Sequence, residues 1–171
     1  MTEISKRHVI AVLIDNEFGA LARVVELFSA RGYNIETLSV APVSKDKKLS
    51  RITITTFGTD KTIDLICKLL CRIVPVHYAA ELTKNDDYIE RELCLAQIIC
   101  DKIQLKNAIE NLQQFRSQII DKEEDSSVFE IIGTSFEIEE AIKILENYGL
   151  TTVSRTGIAG GFRGKKRLDQ I

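Results

Sequence analysis

The sequence predicts an α+β protein of two small ferredoxin-like domains, each ordered strand-helix-strand-strand-helix-strand (βαββαβ). Three observations carry that prediction. In the first half, short β-branched runs alternate with amphipathic stretches of helical period. A polar stretch, Lys84-Asn-Asp-Asp-Tyr88, then interrupts the pattern and reads as a linker. Beyond it the same order of elements returns more weakly, as a repeat does. The expected domains are residues 1–83 and 84–171. A chain of 171 residues that is 44% hydrophobic can give each of them a core.

The first domain opens on Val9-Ile-Ala-Val-Leu-Ile14, an apolar run that reads as a buried strand. Residues 20–31 follow as a helix, with Leu21, Val24, Val25 and Phe28 at the i, i+3, i+4, i+7 spacing of a face laid on a sheet. Gly32 ends that helix as a left-handed cap. Residues 35–41 form the second strand, and Pro42 closes it. The charged Ser44-Lys-Asp-Lys-Lys48 turns the chain into a third strand over 49–57. There Ile52, Ile54 and Thr56 lie on one side and Arg51, Thr53 and Thr55 on the other. Asp60 is placed to cap the second helix, which carries Ile63, Ile66, Cys67, Leu70 and Ile73 toward the sheet. Residues 74–82 complete the set, with Pro75 near the strand's start.

In the second domain, residues 91–100 read as a strand and 105–115 as a helix with Leu105, Ala108, Ile109 and Leu112 on one face. Strands over 117–122 and 128–132 flank the acidic turn Glu123-Glu-Asp-Ser-Ser127. A helix over 137–148 turns Ile138, Ala141, Ile142 and Leu145 inward, and Gly149 ends it. Residues 151–156 are the last strand. The glycine-rich run Arg155-Thr-Gly-Ile-Ala-Gly-Gly161 reads as a flexible turn, and Arg163-Gly-Lys-Lys-Arg167 as a solvated tail.

A formal charge of −2 gives no reason to expect nucleic acid or an anionic membrane surface. No apolar stretch is long enough for a signal-peptide core or a membrane span. The expectation is a soluble protein of the cytoplasm, or of an organelle (plastid) stroma if organelle-encoded, made where it works. Of four cysteines, Cys67 and Cys71 are spaced i, i+4 on a helix, while Cys94 and Cys100 lie in or at the end of a strand. None forms a Cys-x-x-Cys pair, and His8 and His77 are distant in sequence, so buried reduced thiols and no metal are expected.

The loop Asp15-Asn-Glu-Phe-Gly19 joins the first strand to the first helix and so places backbone N–H groups at a helix N-terminus. Those donors have no intrahelical partner, and the helix dipole adds positive potential, which suits a carboxylate. Gly19 lets a ligand come close to the backbone. Asn16 and Asn34 bracket the helix with donors and acceptors. On spacing alone the loop also reads as a simple capping turn. There is no phosphate-loop sequence, no G-x-G-x-x-G and no paired catalytic acid.

Asn16-Glu-Phe-Gly-Ala-Leu-Ala-Arg-Val24 and Phe28-Ser-Ala-Arg-Gly-Tyr-Asn-Ile-Glu36 resemble the opening of the small regulatory subunits of acetolactate (acetohydroxyacid) synthase. Leu38-Ser-Val-Ala-Pro42, Leu49-Ser-Arg-Ile-Thr-Ile54, Phe115-Arg-Ser-Gln-Ile-Ile-Asp121, Gly133-Thr-Ser135 and Arg155-Thr-Gly-Ile-Ala-Gly-Gly-Phe-Arg-Gly164 carry the likeness through nearly the whole chain. The resemblance implies an N-terminal ACT domain, a small amino-acid-sensing fold, followed by a ferredoxin-like regulatory domain. It implies a homodimer through the ACT domain, with valine at the interface. Asn16, Gly19, Ala20 and Leu21 of one subunit and Asn34 and Ile35 of the other would line that site. It also implies a large catalytic partner that carries thiamine diphosphate, Mg and FAD, with no catalytic residue and no cofactor in this chain. Phe18 stands where the family has a small residue or proline, which bears on pocket size. Two other readings compete: a free-standing ACT-type sensor of another enzyme or transporter, and a small enzyme using Asp15, Glu17 and Arg23.

Overall fold

The computed structural model describes residues 4–85 and 88–170; the centre of the expected linker, Asp86 and Asp87, lies outside them. Two compact units emerge, one of Met1–Ile89 with Ala159–Ile171 and one of Glu90–Ile158. The first contains β1 (Lys6–Asp15), α1 (Ala20–Ser29), β2 (Thr37–Pro42), β3 (Leu49–Gly58), α2 (Asp60–Leu70) and β4 (Val76–Glu81). The second contains β5 from Glu90 onward (the strand is Tyr88–Ile99), α3 (Lys102–Leu112), β6 (Arg116–Lys122), β7 (Ser126–Gly133), α4 (Ser135–Glu146) and β8 (Leu150–Arg155). Strand orders are β2-β3-β1-β4 and β6-β7-β5-β8, antiparallel throughout, so both units have the predicted ferredoxin-like plan.

Each core forms where a sheet face meets two helices. In the first unit Ile10, Val12, Ile52 and Ile54 meet Val24 and Phe28 of α1 and Ile63, Ile66 and Leu70 of α2. Phe28 also stands edge-on to Tyr33, with ring centres 6.5 Å apart. In the second, Cys94, Ala96, Phe129 and Ile131 meet Leu105, Ala108, Leu112, Ile138, Ala141 and Leu145. Alternate residues of a strand point to opposite faces, so these sets follow directly from the sequence pattern.

Several local expectations are corrected. Thr59, not Asp60, caps α2: its backbone is extended and its hydroxyl accepts from the Thr62 N–H at 3.3 Å, leaving Asp60 in the first turn. Of the predicted inner face of α1, Val24 and Phe28 are buried, while Leu21 and Val25 are 38% and 39% exposed. Ile109 on α3 is likewise 40% exposed. Tyr88, read as linker, belongs to a strand.

The largest difference concerns the C-terminal residues. The glycine-rich run read as a flexible turn contains a strand, β9 (Ala159–Phe162). The segment, expected with the second domain, packs on the first unit's outer sheet face. Arg51 donates to the Gly160 carbonyl at 2.6 Å, and a Cβ on Gly160 would fall 2.7 Å from Leu82 and 3.5 Å from Val9 and Thr53. Leu168, just beyond the basic run expected to be a solvated tail, is buried. This cover is why Val9, Ala11 and Thr53 are buried although they face away from the helices.

The thiols are not uniformly buried. Cys94 is buried, Cys67 and Cys100 are intermediate and Cys71 is exposed. Burial, together with the nearby Glu81 carboxylate, pushes the Cys67 thiol up to about 12, and burial also raises Cys94. Alkylation near pH 8 with readout by mass spectrometry is expected to modify Cys71 first and to leave Cys67 and Cys94 unmodified until the protein unfolds.

Candidate functional site

The loop between β1 and α1 is anchored at both sides. The Asp15 N–H donates to the Pro75 carbonyl at 2.8 Å and the Asn16 N–H to the Lys48 carbonyl at 2.7 Å. The Asn16 side-chain amide reaches the Lys47 carbonyl at 2.8 Å. Lys47 itself sits at φ 57, so a tight hairpin between β2 and β3 supports the loop. Gly19 then enters α1 at φ 78, a left-handed conformation that costs a residue with a Cβ about 1 kcal/mol.

What sets α1 apart is its open first turn. The N-termini of α2, α3 and α4 are capped by Thr59, Asp101 and Thr134, whereas no side chain caps α1 and no acidic residue stands in its first turn. The Ala20 N–H is taken by the Glu17 carbonyl at 3.3 Å, which leaves the Leu21 and Ala22 N–H groups and the helix dipole facing outward beside Gly19. Ala20 is buried, Leu21 is partly exposed, and Phe18 is fully exposed at 104%.

The remaining candidates lie elsewhere in the chain. Asn34 follows the last turn of α1, its carbonyl accepting from the Thr56 hydroxyl at 2.6 Å and its amide donating to the Glu36 carboxylate. Ile35 is half-buried against the first core. Thr56 pairs with His8 at the start of β1, and Asn16 follows the end of that strand. At about 3.3 Å per residue the two groups are roughly 25 Å apart. One chain thus brings Asn16, Gly19, Ala20 and Leu21 together but leaves Asn34 and Ile35 at the far end of the sheet.

The residues weighed for catalysis form surface pairs: Asp15 with His77 at 2.7 Å and Glu17 with Arg23 at 3.8 Å, all about half-exposed. Sequence reasoning missed a cluster of His8, Asp60 and Glu81, whose ligand atoms lie within 4.8 Å of one another. His8 is buried with Nδ1 at 2.6 Å from Glu81 and Nε2 at 3.1 Å from the Gly58 carbonyl, so both ring nitrogens already have protein partners. The pairing of β1 with β4 brings His8 near Glu81 and the first turn of α2 adds Asp60, so no local motif announces the cluster.

Residues 10–77 match the model of an AHAS small subunit-like ACT domain, and residues 91–164 that of the small subunit of acetolactate synthase. The acetolactate synthase isozyme 3 small subunit of Escherichia coli is 38% identical over 161 residues, covering 94% of this chain and 98% of its own. The probable acetolactate synthase small subunit of Archaeoglobus fulgidus is 35% identical over 161 residues, covering 94% and 99%. The crystal structure of the acetolactate synthase small subunit from Thermotoga maritima superposes with a TM-score of 0.82 at 30% identity, covering 94% of this chain and 99% of that one. By fold, by loop and by likeness along nearly its whole length, this chain belongs to the acetolactate synthase small-subunit family.

Proposed function

We propose that this chain is the non-catalytic regulatory subunit of an acetolactate synthase in branched-chain amino acid biosynthesis. It binds a large thiamine-diphosphate-dependent catalytic subunit, raises its activity and makes it answer to valine. The observation that carries the valine site is the uncapped N-terminus of α1, set roughly 25 Å from Asn34 and Ile35 within one chain.

A second copy removes that separation. β2 is an edge strand with exposed Val40, Val43 just beyond it is also exposed, and Leu21 and Val25 expose an apolar strip on α1. Antiparallel pairing of β2 with its two-fold copy sets the start of one β2 beside the end of the other. The end of β2 leads into the hairpin that holds Asn16. The open turn of one subunit then meets Asn34 and Ile35 of its partner. Backbone N–H groups hold the carboxylate, amide oxygens the ammonium, and Ile35 with Leu21 the branched side chain.

A tenfold to hundredfold response needs a binding difference of about 1.4–2.7 kcal/mol between active and inhibited states, within reach of a few hydrogen bonds. The test is synthase activity of the catalytic subunit with and without this chain, titrated with valine. Stimulation that valine reverses is the expected result, and no stimulation overturns the proposal. Asn34→Ala, by losing one amide contact, is expected to raise the valine concentration for half-inhibition about tenfold while leaving stimulation intact. Equal loss of stimulation and inhibition in a folded Asn34→Ala protein would remove Asn34 from the site.

A further inference from the structure

The second unit holds a cavity of about 520 Å³ that the valine reading does not use. It lies between the first two turns of α3 and the turn from β6 to β7. There the Cys100 N–H donates to the Asp125 carbonyl at 2.9 Å, as the Asn16 N–H donates to Lys48 at 2.7 Å in the first unit. The cavity thus takes the place in the repeat that the 16–19 loop takes in the first unit.

Its chemistry differs from that loop. Asp101 closes the α3 N-terminus, accepting from the Ile103 and Gln104 N–H groups at 2.8 Å each, so those backbone donors are already engaged. Charged side chains stand in their place. Lys102 and Lys122 line the cavity together with Glu123 and Glu124, and none of the four makes an ion pair or side-chain hydrogen bond among the described residues. Leu105 and Ile109 add an apolar wall. The volume falls in the range of small-molecule sites, roughly 300–1,000 Å³.

Unpaired charges of both signs beside an aliphatic wall complement a molecule with a carboxylate, an ammonium and an aliphatic body. We propose that this cavity binds a free aliphatic amino acid, as a second ligand site separate from the loop of the first unit. The lysines take the carboxylate, Glu123 and Glu124 the ammonium, and Leu105 with Ile109 the side chain. The inference does not rest on the valine reading.

The test is amide chemical-shift mapping on the full chain with three probes: L-leucine, 4-methylpentanoate, which lacks the ammonium, and 3-methylbutylamine, which lacks the carboxylate. Leucine is expected to shift residues 100–106 and 122–127 saturably, with affinity about tenfold above either analogue. Ile109→Asp is expected to abolish those shifts. The exposed pair Lys102→Glu with Lys122→Glu gives a second variant that leaves the core untouched and is expected to do the same. No leucine-induced shift in these residues, equal affinity for a single-charge analogue, or shifts that survive both variants would each overturn the proposal. Loss of these shifts with valine inhibition of the synthase intact, or the reverse, makes the two readings fail separately.

Discussion

Arg155→Ala is expected to cost the second unit about 3 kcal/mol, read as a fall of about 12–24 °C in the midpoint of its thermal unfolding. Arg155 on β8 meets Glu92 on β5 through two parallel bonds, Nε to Oε1 at 2.8 Å and a terminal guanidinium nitrogen to Oε2 at 2.9 Å. The Glu92 side chain is wholly buried and also accepts from the Ser135 hydroxyl at 3.2 Å. Removing the guanidinium strands a carboxylate that Ser135 alone cannot satisfy. The loss sits at the lower end of the usual range for a broken buried pair because the Arg155 side chain is 30% exposed and water can enter. Arg155→Lys keeps the charge but not the fork, and is expected to lose about 1–2 kcal/mol. Replacing both partners with methionine should recover much of the stability, since no buried charge is then left behind. A double variant as unstable as Arg155→Ala would show that packing, not the charge pair, sets the cost.

Gly149→Ala is expected to be comparably severe, and Gly32→Ala mild. Both glycines follow helices in the left-handed region, at φ 76 and 68. A Cβ on Gly32 meets nothing within 4 Å, so the conformational term alone applies, about 1 kcal/mol. A Cβ on Gly149 would lie 2.2 Å from the Ile99 carbonyl oxygen. That carbonyl belongs to the backbone of β5, whose Ile99 N–H bonds to the Gly149 carbonyl at 2.9 Å, so neither side can yield without breaking the contact. The expected loss is about 3–4 kcal/mol. Urea unfolding of both variants, followed by far-UV circular dichroism, isolates the steric part as the difference between them. Equal losses would mean that the strand end moves freely.

Where sequence and structure agree, local periodicity decided the matter. β-branched alternation and helical spacing depend on near neighbours, and both units formed as those patterns require. The largest miss traces to a partner distant in sequence. Gly160 was read as part of a turn, yet glycine serves equally where another element comes close, and here Leu82 leaves no room for a Cβ. The strand over 151–156 that holds Arg155 was legible, but its ion pair with Glu92, distant in sequence, was not. Leu21 and Val25 fitted a core-facing pattern because helical spacing alone does not tell a buried apolar residue from an exposed one. Thr59 and Asp60 are both competent caps, and only backbone geometry chose between them. The candidate site was legible in part: the loop at Gly19 could be read from adjacent residues, but its distance from Asn34 could not.

The return of residues 159–170 to the first unit has a consequence for biosynthesis. A chain emerging from the ribosome makes every strand of the first sheet early, but the segment that covers Val9, Ala11 and Thr53 comes only after residue 158. At 5–20 residues per second, synthesis of residues 90–158 interposes on the order of 3–14 s during which that face is bare. The second unit, contiguous in sequence, is complete before the first. The outer cover of the first sheet is therefore made after the whole of the second unit, and a premature stop near residue 158 would spare the second unit while leaving that face uncovered.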